Sequence, residues 1–337
     1  MRAVRINAID RERGPEQFHV EVVDDPTPAA GEILVKLARA AFNRRDVFIS
    51  QGLYPGIQLP CIPGSDGVGT VAAHGEGAQG PAVGTRVVID PTLGWGDNER
   101  IWRRDSHLIG MPHQGTMAEY IAVPAGNVYP APASLSDDEA AAMPLAGVTA
   151  YRALITRGGC TKDDVVLLPG IGSGVQSFAL LFAKKIGAKV IVTSSSDEKL
   201  ERAKRLGADV LINYKTTEKW EKEAAAIDGG PSLVVDSVGG DTFAKALNAV
   251  RYGARVVTYG GTTGDAKIRP FSVFWKQLDI LGSSMGSPKD FAAMLAMWDG
   301  SIKPVVDSTF ALDDIEAAAK KVDSGNQFGK VVVAISG

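Results

Sequence analysis

The chain has little of what several function classes require. It holds only two cysteines in 337 residues, Cys61 and Cys160, and neither sits in a metal or redox motif. A disulfide scaffold and a cysteine-built zinc lobe are therefore not expected, and reduced thiols suit a cytoplasmic protein. Only four histidines are present. None has a metalloprotease-type or Ser-His-Asp pattern around it, so hydrolytic chemistry of those kinds has no sequence support. No sign of charge dominates: 36 basic residues face 39 acidic ones, net −3, which gives no reason to expect a nucleic-acid partner. No apolar run approaches the ~20 residues of a membrane helix. The start, MRAVRINAID, lacks a signal-like apolar core. The expectation is a soluble, cytoplasmic protein with no membrane association. What is abundant is glycine, 38 residues, and apolar side chains, 45% of the chain. Those describe a large core and many tight turns, in about two domains by length.

The first third reads as β structure. VRINAI, FHVEVVD and EILVKLARAAF alternate or are β-branched, and Gly, Pro and Asp break them. Dense glycine in PGSDGVGTVAAHGEGAQGPAVGTRVVID suggests a compact barrel with tight turns. Residues 90–115 form a long irregular segment carrying Trp95, Trp102 and Arg103-Arg104; such a loop is either functional or a cover for the β domain. From SLSDDEAAAM onward the texture changes. Ser134 or Ser136 caps a helix with acids in its first turn. VVLLP, KVIVTS, DVLINY, LVVDSV and ARVVTYG then alternate with helical segments, LDILGSSM supplies a sixth strand, and the tail after it rejoins the β domain. Alternation of this kind predicts a parallel sheet with helices on both faces.

Residues 164–199 organise this half. The buried run VVLLP leads into Gly170-Ile171-Gly172-Ser173-Gly174, then a helix over 175–186 that stops at Lys184-Lys185 and Gly187, then a second strand. A glycine loop between a strand and a helix lets backbone approach a pyrophosphate, and the helix N-terminus offers free N–H groups. Val175 stands where the third glycine of G-x-G-x-x-G would fall. Glycine turns of this type also occur with no ligand.

Several segments, in order along nearly the whole chain, carry a resemblance. They are NRRDVFISQGLYPG, LPCIPGSDGVGTV, AAAMPLAGVTAYRAL, KKIGAKVIVTSSSDEKLERAKRLGADVLINY, DSVGG and FGKVVVAIS. The chain resembles the zinc-independent, quinone oxidoreductase-like branch of the medium-chain dehydrogenase/reductase superfamily. That branch commonly uses an A-x-x-G-x-x-G loop, whose glycine and alanine positions fall here on Gly170, Ser173 and Gln176. The resemblance implies an α/β chain with a GroES-like β-barrel domain, residues 1–133 and 287–337. A doubly wound parallel-sheet Rossmann domain takes residues 134–286, with a cofactor held in the cleft.

Metal is not expected. Zinc-dependent relatives use a cysteine and a Gly-His-Glu stretch, and this chain has Asn43 and Gly64-Ser65-Asp66 at those positions. Asp46, Asp66, His107 and His113 are scattered donors. For the cofactor, an NAD site places a carboxylate at the end of the second strand for the ribose. Here Thr193-Ser194-Ser195 has none, and Lys199 follows one turn on. NADPH is therefore expected, with Ser194, Ser195 and Lys199 near the 2′-phosphate. The same residues also read as a helix cap and a solvated lysine. Family position adds Tyr214 beside that phosphate and Thr149 at the nicotinamide amide. The loop contributes Gly170, Gly172, Ser173, Gly174 and Val175, with N–H groups of 173–175 facing the pyrophosphate. Strand ends contribute Ser237, Val238, Gly260 and Gly261, then Ser284 and Met285. Lys330 either closes the cleft over the cofactor or is a plain surface lysine.

The implied chemistry is reduction of quinones or α,β-unsaturated carbonyls by hydride transfer without zinc. Tyr54 matches the position that enoyl-thioester reductases of the superfamily use as proton donor or enolate partner; it also reads as an aromatic plug in a turn. Asn43 offers an amide to a substrate oxygen or to the nicotinamide, and Asp46 holds the loop. Alcohol or aldehyde oxidation, and a low-turnover NADPH-binding sensor, remain open alternatives. Phe271, Phe274 and Trp275 before the sixth strand suit a homodimer through that strand.

Overall fold

The computed structural model describes residues 1–335. It contains two compact units, Met1–Ala146 with Ser287–Gly337, and Gly147–Gly286. The division falls at 146/147, later than the expected 133/134, and the reason is local. Ser136 caps the helix Asp137–Ala142, its hydroxyl accepting the Glu139 N–H while the Glu139 carboxylate accepts the Ser136 N–H. That helix then points its charges and its alanines at the β unit. Asp137 pairs with Arg86 at 2.7 Å and Asp138 with Arg39 at 2.9 Å. Ala142 packs with Ala41 and Val332. A run that reads as the entry to the α/β half is in fact a wall of the barrel.

The β unit is built on a seven-stranded sheet. Its centre is Glu32–Ala41, whose inward side chains Ile33, Val35 and Leu37 are buried, as alternation requires. It pairs antiparallel with Asp66–His74, Tyr120–Pro124 and Lys330–Ala334. Two register shifts between Glu32–Ala41 and Asp66–His74, at Leu34/Val35 and at Leu37/Arg39, mark bulges, the device that bends a strand and increases its twist. The tail returns as expected: Val332 faces Ala41 and Val333 faces Ala40, so the chain's last strand lies beside the strand that leads into residue 43. Residues 90–115 are less irregular than the sequence suggests. They contain a small three-stranded sheet of Thr92–Leu93, His107–Ile109 and Pro112–His113. Trp95 is buried there with its indole N–H on the Asn98 carbonyl, and Trp102 lies 6.3 Å away, ring to ring. This segment covers the barrel core.

The second unit holds six parallel strands. Their order is Val210–Asn213, Lys189–Ser194, Val165–Leu168, Leu233–Asp236, Arg255–Thr258, Asp279–Gly282. All four residues of Val165–Leu168 are buried, as a central parallel strand requires. The helix Gly174–Ile186 buries Phe178 and Phe182 on this sheet and ends at Gly187 with φ +97°. The strand order reverses between Val165–Leu168 and Leu233–Asp236. At such a point the loops leave in opposite directions and open a crevice at the carboxyl ends of the strands.

Cys61 and Cys160 are buried free thiols, and burial pushes them up to about 11 and about 12. Among the described residues no helix is long and apolar enough to cross a membrane.

One buried acid is poorly served. Asp90 accepts the Thr92 N–H at 3.0 Å through one oxygen, and its other oxygen has no partner among the described residues. Burial first, and Asp290 second, raise this carboxyl from the ordinary 3.8 to about 7. An acid whose folded pKa lies above its unfolded value favours folding below the unfolded pKa and loses that contribution as pH rises through the folded one. Asp90→Asn is thus expected to raise the denaturation midpoint at pH 8 and to leave it nearly unchanged at pH 4. Equal shifts at both pH values would show that Asp90 does not titrate as described.

Candidate active site and cofactor cradle

In the β unit the polar cluster begins where Glu32–Ala41 gives way to the short helix Arg44–Ser50. Asn43 is the N-cap residue, with extended backbone. The buried Asp46 holds this corner: one oxygen accepts the Asn43 N–H at 2.7 Å and the other the Gly64 N–H at 3.3 Å. Burial raises the Asp46 carboxyl above its ordinary value. Its role is to join two loops, as expected from sequence.

Lys330 is neither a surface lysine nor an open hook. It is 3% exposed, because it is the first residue of the returning strand and points into the barrel corner. Its Nζ donates to Asp66 Oδ2 at 2.8 Å and to Asn43 Oδ1 at 2.6 Å. Asn43 Nδ2 donates to the same Asp66 oxygen at 2.9 Å, and the other Asp66 oxygen accepts the Leu145 N–H at 2.7 Å. Asp66 itself is 0% exposed. A buried carboxylate is tolerable only with this kind of complete pairing.

Beside this cluster lies a second internal cation. Arg45 is buried, and its guanidinium donates to Ser65 Oγ at 2.8 Å and to the carbonyls of Ile109 and Met111 at 2.9 and 3.1 Å. It also stacks over the Tyr54 ring, 4.9 Å from the centroid. Tyr54 is half-buried against the barrel core, so it is both a plug and a residue held in place by a cation. Sequence reading passed over Arg45. Its only signal was a basic residue inside the NRRDVF run, and a lone arginine there reads equally well as surface.

The donors do not fit a catalytic zinc. The three positions carry an amide, a hydroxyl and a carboxylate, with no sulfur or imidazole. The carboxylate is already neutralised by an ammonium, which repels a second cation. His107 and His113 stack on each other at 4.5 Å, within the cover segment. No set of three metal-ligating side chains converges among the described residues.

In the α/β unit the glycine loop leaves the end of Val165–Leu168. Ser173 caps the helix, accepting the Gln176 N–H at 3.3 Å. The first N–H groups of a helix have no intrahelical acceptor, so those of Gly174 and Val175 suit an anion. At Gly172, with φ +122°, a Cβ would meet Lys199 Cδ at 2.9 Å, and at Gly170 it would meet Val238 at the same distance. The loop is therefore bare backbone closely bordered by the side chains of Lys199 and Val238. Ser194 lies across from Asn213 in the sheet, and the Tyr214 N–H donates to the Ser194 carbonyl at 3.1 Å. Ser194, Ser195, Lys199 and Tyr214 therefore share one end of the sheet. The bland reading is also partly real: Ser196 caps the next helix, and Ser194 Oγ accepts the Ser196 N–H.

The remaining strand-end residues group as well. The turn 260–264 lies on 237–239, with Thr262 N–H to Ser237 O at 3.1 Å and Thr263 N–H to Val238 O at 2.8 Å. Gly260 and Gly261 are exposed there. Thr149 Oγ1 lies 3.9 Å from Met285 Sδ. Met285 has φ +50°, a left-handed conformation that costs a non-glycine residue energy. Ser284 before it is exposed. Two further residues, Gln176 and Tyr259, lie at this end of the sheet. Gln176, at the last glycine position of the A-x-x-G-x-x-G pattern, is fully buried, and its Nε2 donates to the Val235 carbonyl at 2.8 Å. The buried Tyr259 hydroxyl interacts with the side chains of Ser237, Ser173 and Gln176. Burial pushes the Tyr259 phenol well above its ordinary pKa.

A family profile described as "Alcohol dehydrogenase GroES-like domain" matches residues 29–133, and one described as "Zinc-binding dehydrogenase" matches residues 174–299. The chain belongs to the medium-chain dehydrogenase/reductase superfamily. As a member it is an NAD(P)H-dependent oxidoreductase with a GroES-like domain and a Rossmann-like domain. It is 36% identical to the zinc-type alcohol dehydrogenase-like protein YogA of Leptosphaeria maculans, over 94% of each chain. It is 31% identical to an acryloyl-coenzyme A reductase of Sulfurisphaera tokodaii, over 95% of this chain and 97% of that one. Among solved structures, an NAD-dependent alcohol dehydrogenase superposes with TM-score 0.93 at 37% identity, covering 100% of both chains. A variant of the crotonyl-CoA carboxylase/reductase AntE, in complex with NADP, superposes with TM-score 0.88 at 25% identity. It covers 99% of this chain and 94% of that one.

The buried cluster carries its own consequence for this dehydrogenase/reductase. Asp66→Ala leaves the Lys330 ammonium buried without its counter-ion, a change worth roughly 3–5 kcal/mol. Denaturant unfolding is expected to show a loss of that order. A loss below about 1 kcal/mol would mean that Lys330 finds water or another anion.

Proposed function

We propose that this protein is an NADPH-dependent, zinc-free reductase of activated C=C bonds, α,β-unsaturated carbonyls in the first place and quinones in the second. The observation that carries the zinc-free part is the Lys330 ammonium, bonded to Asp66 and Asn43 at the family's metal position. Alcohol oxidation in metal-dependent relatives relies on a cation touching the alkoxide oxygen. Here the cation is spent on a carboxylate and an amide.

Reduction of an enone needs donors for the oxygen that gains charge and a proton for the α carbon. The bound nicotinamide supplies the hydride. Asn43 contributes an amide N–H to the carbonyl oxygen. Tyr54 contributes a phenol O–H, positioned by Arg45 over its ring, as hydrogen-bond or proton donor. Arg45 stiffens the loop that bears this phenol by binding three acceptors outside it. In the α/β unit, Gly170, Gly172 and the N–H groups of 173–175 take the pyrophosphate. Ser194, Ser195, Lys199 and Tyr214 take the 2′-phosphate, and Thr149 and Met285 border the nicotinamide. Ser237, Val238, Gly260, Gly261 and Ser284 line the crevice. The NADPH preference is supported by the absent carboxylate after Lys189–Ser194 and by Lys199 lying along the glycine loop. NADP in the AntE structure supports it too.

Alcohol dehydrogenation is the second reading, favoured by the NAD-dependent alcohol dehydrogenase that superposes on this chain. The deciding measurement runs NADPH and NADH side by side against enones, a short enoyl thioester and quinones, with alcohols plus NAD(P)⁺ in parallel. Faster enone reduction with NADPH is expected, with Lys199→Ala losing about tenfold in the NADPH-to-NADH ratio of kcat/KM, the order of one exposed charge-assisted contact. Preference for NADH, or alcohol turnover with stoichiometric zinc, would reverse the two readings. Tyr54→Phe is expected to lower kcat on an enone ~10²-fold if the phenol is the proton donor. An unchanged kcat would leave Tyr54 as a plug.

We also propose a homodimer. Asp279–Gly282 is an edge strand, paired only with Arg255–Thr258 among the described residues, and Phe271, Phe274 and Trp275 are exposed beside it. An apolar open edge is a liability unless covered. Sedimentation is expected to give twice the chain mass; a monomer at every concentration would overturn this.

A further inference from the structure

We propose that Lys330 is a positioning residue, whose ammonium fixes and polarises the Asn43 amide so that its one remaining N–H is the donor to the substrate's carbonyl oxygen. The inference rests on the reading that Asn43 faces that oxygen. The orientation of the amide follows from chemistry alone. An ammonium can only donate, so the group 2.6 Å from Lys330 Nζ must be the amide oxygen. A carboxylate can only accept, so the group 2.9 Å from Asp66 Oδ2 must be the amide nitrogen. Flipping the amide would set oxygen against carboxylate and NH₂ against ammonium, two repulsive contacts in place of two charge-assisted ones. One N–H of Asn43 is thereby spent on Asp66, and the other has no partner among the described residues.

Exposure separates the roles of the three members. Lys330 and Asp66 are 3% and 0% exposed, so neither reaches a substrate, whereas Asn43 keeps 8% of its surface open. The charge of Lys330 therefore acts through the amide. A hydrogen bond from an ammonium to the amide oxygen draws electrons from nitrogen toward oxygen and makes the remaining N–H a stronger donor. Asp66 neutralises the pair, so the site does not simply attract anions. Its second oxygen, bound by the Leu145 N–H at 2.7 Å, fixes the carboxylate and thus the amide plane. A donor held this rigidly needs no reorganisation when charge develops on the oxygen.

The test is a double-mutant cycle in the full-length protein, with NADPH and cyclohexenone as probes. The readouts are kcat, KM, NADPH affinity from nucleotide fluorescence, and the melting temperature. Asn43→Ala is expected to lower kcat ~10²-fold, the effect of removing one preorganised donor. Lys330→Met is expected to lower kcat about 10- to 100-fold with NADPH affinity within about twofold of the parent, Lys330→Arg restoring part of the loss. In the Asn43→Ala background, Lys330→Met should cost less than about threefold, because the amide it acts through is gone. Where Lys330→Met alone does not fold, the paired Asp66→Asn, Lys330→Met variant removes both charges together and is expected to show the same loss of kcat. Unchanged kcat in the Lys330 variants overturns the proposal, as do additive losses in the cycle or a parallel loss of NADPH affinity. Unchanged kcat in Asn43→Ala sinks the underlying active-site reading instead.

Discussion

The buried ion pair between Lys330 and Asp66 is the constraint on which the β unit's polar corner depends. An ammonium and a carboxylate withdrawn from water cost several kcal/mol each unless both are bonded to fixed partners. Each partner here comes from a different part of the chain: Asn43 from the start of the first helix, Asp66 from the start of a barrel strand, Lys330 from the last strand, Leu145 from the run after the wall helix. The pair can form only when the tail has returned to lie beside Glu32–Ala41, so the same contact that ends the fold assembles the candidate site. The pairing also dictates which way the Asn43 amide points.

A second internal cation works beside the first. Arg45 binds Ser65 and two backbone carbonyls of the cover segment and supports the Tyr54 ring. The segment 90–115 therefore does more than shield the barrel, since its carbonyls hold the guanidinium that holds the tyrosine. Two side-chain cations, Lys330 and Arg45, are thus buried beside Asn43 and Tyr54.

In the α/β unit the departures from the expected glycine pattern have physical accounts. Gln176 stands at the last glycine position of the A-x-x-G-x-x-G pattern and hydrogen-bonds the neighbouring strand at Val235. Lys199 lies along Gly172 rather than out in solvent. Its backbone N–H is held by the N-cap residue Ser196, and its side chain still reaches the loop.

The sequence by itself determined the two-part architecture, the order of strands and helices, and the location of the glycine loop, because apolar periodicity and turn residues act locally. It also showed which side chains are missing from the metal position, since a missing cysteine and histidine are visible without coordinates. It misjudged the helix at 137–142, whose buried face could match either unit until the partners Arg86, Arg39 and Ala41 were known. It placed Lys330 as a cofactor contact or a surface lysine, and it missed Arg45. Only the tertiary structure decided those. The burial of a cation depends on which carboxylate, 264 positions away in the chain for Lys330 and Asp66, the fold brings to it, and no local pattern encodes that meeting.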